Sequence, residues 1–170
     1  IMTEPLTNYN MLVLDQTLRN DSYVSVMNTN VIRAGKRNEN FYTANVSGFE
    51  ALVKTADRLW SVSAGAVLSQ KYYSSDPTAL GHSLNFNAGR TGGKFRADYN
   101  FSMMSDTYDP NDMGYLRNNN ETGHSVDFSY NTYEPFGNIM TTRTSLDFSY
   151  GQLYNPRAFT TAEVRLDAMI

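Results

Sequence analysis

The chain has 170 residues, no cysteine, and a formal net charge of −3 from 14 basic and 17 acidic side chains. That balance excludes the basic footprint of a nucleic-acid-binding protein, and the lack of thiols excludes a disulfide framework or a thiolate metal site. Mean hydropathy is −0.47, and no run approaches the roughly 18 apolar residues that a membrane helix needs.

Aromatic residues make up 13 % of the chain, with 12 Tyr and 9 Phe set among many Asn, Ser and Thr. This mixture favours strands and turns over helices. Strands that cross a bilayer escape hydropathy scans, because lipid-facing and lumen-facing side chains cancel in any window. The chain opens Ile1-Met2-Thr3 and closes Asp167-Ala168-Met169-Ile170, with neither a leader nor the terminal aromatic usual in finished outer-membrane barrels. The expectation is one incomplete domain over 1–170, with any signal peptide outside it.

In chain order, 9–18 and 22–33 are β-like, but apolar residues fall on both parities. Over 41–55 the polar residues hold one parity at Thr43, Asn45 and Ser47, then the other at Glu50 and Lys54. A one-residue slip accounts for the switch and predicts a β-bulge at Gly48. Segment 59–74 sets Trp60, Val62, Ala64, Ala66 and Leu68 against Ser61, Ser63, Gly65 and Ser69. Next, Leu84, Phe86 and Ala88 oppose Ser83, Asn85 and Asn87. Alternation is strictest where Phe95, Ala97, Tyr99, Phe101 and Met103 oppose Arg96, Asp98, Asn100 and Ser102. Val126, Phe128 and Tyr130 then face away from Ser125, Asp127 and Ser129, as Leu146, Phe148 and Tyr150 do from Ser145, Asp147 and Ser149. Last, Ala162, Val164 and Leu166 oppose Glu163, Arg165 and Asp167. A helical period of 3.6 would scatter these residues over every face, whereas a strand sorts them into two.

The pattern predicts about nine strands, many near ten residues, longer than the five or six usual in soluble sheets and right for a tilted bilayer crossing. Arg19-Asn20-Asp21, Ala56-Asp57-Arg58, Gly92-Gly93 and Pro135-Phe136-Gly137 read as tight turns. Longer links fall between them at 34–40, 75–81, 109–121 and 152–158. An up-and-down barrel requires short and long links to alternate, and a Greek-key sandwich does not. The expected fold is therefore all-β: an antiparallel up-and-down transmembrane β-barrel, present as a fragment of a larger barrel.

Little in the chain suggests chemistry. The two histidines, His82 and His124, stand at predicted strand starts, and Glu121 near His124 brings no second ligand at metal spacing. The segment Asp109-Pro110-Asn111-Asp112-Met113-Gly114 has the start of a calcium loop, but Met113 at position five and Asn120 at position twelve break the EF-hand pattern. Arg90-Thr91-Gly92-Gly93-Lys94 lacks phosphate-loop spacing and reads as a hairpin. No catalytic residue, cofactor or metal is expected.

The polar parity carries Arg96, Asp98, Asp127, Arg143, Asp147, Glu163, Arg165 and Asp167, which in a barrel point into the lumen. There, opposite charges on adjacent strands can pair, and the wall either lines a polar channel or only solvates and plugs the interior, the plainer role outweighing the selective one. Tyr9, Trp60, Tyr72, Tyr73, Tyr133, Phe136, Tyr154 and Phe159 gather toward strand ends as an aromatic girdle does.

One loop is distinctive. Asp109, Pro110, Asn111, Asp112 and Gly114, with Leu116, Asn119 and Asn120, resemble the Asp-Pro-Asn-Asp-Leu-Gly-Phe-Leu-x-x-Asn-Asn loop of an uncharacterised outer-membrane β-barrel domain. Met113 and Tyr115 replace its Leu and Phe conservatively, and the alternating run before the loop is similar too. In Gram-negative surface proteins that domain follows a carbohydrate-binding-like β-sandwich. The resemblance implies a bacterial outer-membrane location, a barrel architecture and a missing remainder. The leading expectation of function, which the resemblance does not itself supply, is a membrane anchor or passive channel for a surface-associated system, a glycan-related one among the options. Its partners would be the lipid bilayer and other outer-membrane proteins; no catalytic residues carry over. A barrel subunit of a larger assembly and a soluble β-sandwich binding module stand as alternatives.

Overall fold

The computed structural model describes residues 6–34, 42–73, 76–112, 114–132, 134–135, 137 and 141–169. Expectations that fall on Phe41, Ser74, Ser75, Met113, Tyr133, Phe136, the link 35–40 and the chain ends lie outside the described residues.

Alternating side chains put one apolar and one polar edge on each extended segment, and antiparallel neighbours close through short local links. The strands that result are β1 (Leu6–Thr17), β2 (Tyr23–Ala34), β3 (Tyr42–Lys54), β4 (Trp60–Tyr73), β5 (Ala79–Arg90), β6 (Phe95–Met104), β7 (Glu121–Thr132), β8 (Thr142–Leu153) and β9 (Phe159–Met169). They form a single 9-stranded sheet in sequence order, each strand antiparallel to the next. The all-β up-and-down architecture is thus present, but the sheet is open: β1 bonds only to β2 and β9 only to β8 among the described residues. Since all strands share one sheet, no second sheet packs on it as a sandwich requires.

Register sorts the side chains into two faces. Asp15, Ser25, Glu50, Gly65, Asn85, Ser102, Gly123 and Gly151 form one cross-strand row on the polar face. One residue along, Leu14, Val26, Phe49, Ala66, Leu84 and Met103 form a row on the apolar face.

Two sequence expectations fail. No bulge occurs at Gly48, whose pairing runs unbroken with Met27 on one side and Val67 on the other. The register shift lies instead between Gly151 and Gln152 of β8. The parity switch in β3 arises because cover changes along one face: Ala44 and Val46 are buried there, while Glu50, on the same face, is exposed. Nor do short and long links alternate without exception. The β8–β9 link, expected to be long, needs only 154–158. The outlier is the β6–β7 link, 105–120.

Candidate functional site

The link 105–120 packs against the sheet through several buried residues, among them Ser105 and Tyr108. Its Asp, Asn and Ser side chains satisfy backbone groups locally, so the segment keeps a defined shape without being a helix or strand. Asn111 Oδ1 accepts from Leu116 N at 2.6 Å, and Asn119 Nδ2 donates to the carbonyls of Asp106 and Tyr108, each at 2.9 Å. Asn120 sits at φ 63, a left-handed position that asparagine tolerates. It exchanges two hydrogen bonds with Asn155 of the β8–β9 link, both 2.8 Å.

So shaped, the loop lies across the polar face of β5, β4, β3 and β2. Ser105 N donates to His82 O at 2.9 Å, and Thr107 Oγ1 to Leu80 O at 2.6 Å, beside the end of β5. Asp109 N donates to Ser69 Oγ of β4 at 3.1 Å, and Lys71 Nζ donates to Asp109 Oδ2. Farther out, Asp112 Oδ1 accepts from Arg33 Nη2 of β2 and from Tyr42 Oη of β3, the latter at 3.0 Å. Lys71 Nζ stands 3.5 Å from Asp112 Oδ2, but that oxygen has no hydrogen bond of proper geometry. Arg33 and Lys71 also cover the Tyr42 ring, 4.6 and 5.0 Å from its centroid. Val31, Ala44, Val46, Ser69, Ser105 and Tyr108 are buried on the strands that this bridge crosses or within it.

The approach is close enough to dictate one residue type. A Cβ on Gly81 would meet Tyr108 Cα at 2.3 Å and Thr107 O at 2.4 Å, so backbone rests on backbone. Burial raises the Tyr108 hydroxyl above its ordinary range. Burial also pushes the Asp109 carboxyl up, but the Lys71 ammonium and the Asn111 backbone N–H outweigh it and hold that group below the usual carboxylate range.

Of the loop motif read from sequence, Asp109, Asn111 and Asp112 therefore act as fasteners inside the protein, Asp109 and Asp112 toward Lys71 and Arg33 and Asn111 toward Leu116. Pro110 fixes φ between two of them. Gly114 has open space around it, and nothing in the structure explains it.

Beside the loop, the charged positions share the polar face, as their parity demands. Asp98, Asp127, Asp147 and Arg165 are direct neighbours in one row across β6, β7, β8 and β9. Arg96 and Asp167 fall in the row with Ser129 and Ser145, Glu163 in the row with Ser125 and Ser149, and Arg143 opposite Asn131. In the central row three carboxylates stand side by side, and only the last, Asp147, has an opposite charge, Arg165, as its cross-strand neighbour. Asp98 Oδ1 is held by amides of Asn87 and Asn100 at 2.6 and 2.7 Å. Arg165 pairs at 3.2 Å with Glu163 on its own strand.

The histidines keep out of this site. His124 is on the apolar face, its Nδ1 2.9 Å from Tyr99 Oη and its ring against Phe101 and Tyr150, while Glu121 belongs to the opposite face. His82 meets Tyr154 edge-on at 5.6 Å. Among the expected girdle aromatics, Trp60, Tyr72 and Phe159 stand on the apolar face, but Tyr9 and Tyr73 turn to the polar one, opposite Val31 and Tyr42. Sequence reasoning missed Arg33, Tyr42, Lys71, Ser69 and Gly81. Their only local sign was that Arg33 and Lys71 interrupt otherwise uncharged strand ends.

These features define an antiparallel up-and-down β-sheet protein with one apolar face, one charged face, and a single long loop fastened across the latter. The chain belongs to the family described as Domain of unknown function (DUF5916), which it matches over residues 1–170. No curated protein matches it, and no solved structure does.

Proposed function

We propose that this sheet is part of an outer-membrane β-barrel of a Gram-negative bacterium, serving as membrane anchor or passive channel for a surface-associated system. The observation that carries the proposal is the uncovered apolar face. Large side chains stand exposed along it, among them Phe49 (46 %), Phe128 (41 %), Phe148 (44 %) and Leu166 (71 %). Soluble monomers seldom leave a contiguous patch above a few hundred Å² open, whereas hydrocarbon would cover it at no cost. Strand length agrees: 10 to 14 residues at about 3.3 Å each exceed a tilted crossing of a 25 Å apolar band. The free edges of β1 and β9 would be paired in the closed barrel, since lipid cannot satisfy backbone groups. The test is solubility of the full-length protein. It should require detergent or lipid to stay monodisperse; a stable monomer in plain buffer would refute the membrane reading.

A second reading, a barrel subunit within a larger outer-membrane assembly, is favoured by a polar interruption of the apolar face. Asn10, Asn30, Asn45 and Gln70 follow one another across β1 to β4, and the buried Asn30 Oδ1 has no partner among the described residues. Amides are costly against hydrocarbon and welcome against another protein. Co-purification of a stoichiometric partner from solubilised membranes would support this version, and a lone barrel would count against it.

A further inference from the structure

Link 105–120 is three to four times as long as the turns 18–22, 55–59 and 91–94 at the other end of the sheet, yet its extra length does not project outward. It turns back over the polar face and is fastened on successive strands: to β5 at Gly81, to β4 at Ser69 and Lys71, and to Arg33 and Tyr42 of β2 and β3. The β8–β9 link holds its far end through Asn155, which bonds Asn120 and donates to Asp106 Oδ2 at 2.9 Å. We propose that this loop is a built-in plug: it blocks the lumen on the β2–β5 side and confines any passage to the strip carried by β6–β9.

The proposal rests on the barrel reading, because only in a closed barrel does the polar face enclose a lumen. Three features distinguish a fixed plug from a gate that swings freely. The contact at Gly81 is backbone on backbone, so the loop cannot slide without separating from the strand. The ion pair of Asp112 is internal to the interface, Asp112 and Arg33 being only 6 % and 17 % exposed, which limits screening by salt, whereas Asp109, the partner of Lys71, is 39 % exposed. Moreover, two of the loop's carboxylates, Asp112 and Asp109, are taken up by the cations beneath them, Arg33 and Lys71. On the blocked side Arg33 and Lys71 are engaged by the loop, whereas the open strip carries Asp98, Asp127, Asp147 and Arg165.

The experiment compares the full-length protein with Gly81→Val, in detergent by hydrogen exchange and in planar bilayers bathed in potassium chloride. A double variant, Asp109→Asn with Asp112→Asn, removes the charged fasteners without adding volume and serves if Gly81→Val fails to fold. In the parent, amides of 105–112 should be protected and single-channel conductance low. In either variant that protection should be lost and conductance should rise several-fold. A released loop with unchanged conductance overturns the plug while leaving the barrel intact, and so does fast exchange of 105–112 in the parent. A protein that never enters bilayers overturns the barrel reading and the plug with it.

Discussion

Replacing Asp112 by Asn should loosen the loop more than any other single polar substitution in it. The carboxylate is 6 % exposed and sits between Arg33 and Lys71, which are 17 % and 13 % exposed. Asparagine keeps the shape but removes the charge, leaving two cations close to the Tyr42 ring. Truncating one member of a fully buried pair costs about 3–5 kcal/mol, and a hydrogen bond to a charged group about 1.5–3 kcal/mol. Arg33 retains some solvent and Lys71 retains Asp109, so the lower part applies, and we expect a loss of about 2–3 kcal/mol. The assay is native-state hydrogen exchange at 105–112, which reads local opening directly. A double-mutant cycle with Arg33→Met completes it: with both partners neutral, much of the loss should return, because no cation is left stranded. An Asp112→Asn protein whose local opening changes by less than about 0.5 kcal/mol, within the scatter of ordinary surface substitutions, would show that Tyr108 and Gly81 seat the loop without the charges.

Other consequences can be checked separately. Asp109 is held below the usual carboxylate range, so its contribution to docking is complete above its unfolded value near pH 4 and is lost as pH falls through the lower folded value; peptic cleavage in 105–120 should accelerate over that acid window, and equal cleavage throughout would remove Asp109 from the account. Asp127→Asn takes the middle charge from three directly opposed carboxylates, and relief of like-charge contact should stabilise the sheet by about 0.2–1 kcal/mol in denaturant titrations; a destabilised variant would refute that repulsion. Phe148→Lys, at a 44 % exposed position on the apolar face, should cost about 2–4 kcal/mol if the site meets the bilayer midplane. A near-neutral result in refolding into lipid vesicles would place the site in water or at the interface.

The two faces of β4 to β9 were legible because period two is a local property: each side chain's face follows from its neighbours' parity, whatever the strands later pair with. Thus Arg96, Asp98, Asp127, Arg143, Asp147, Glu163, Arg165 and Asp167 could be assigned to one face without coordinates. β2 and β3 were harder, since Val31, Ala44 and Val46 occupy the polar face under a loop that comes from residues far along the chain. Gly48 was misjudged for the same reason, a change in cover being mistaken for a change in register.

The amino-acid sequence by itself determined that this protein is a run of long antiparallel strands with an apolar and a charged side, because alternation and turn chemistry act within a few residues. Tertiary structure alone decided that the nine-strand sheet stands open, and that three carboxylates rather than alternating charges share a row. It also decided where the Asp109–Asp112 loop goes. Its partners Arg33, Tyr42, Lys71 and Gly81 lie some 30 to 80 residues away in sequence, and only the register of the intervening strands brings them under it.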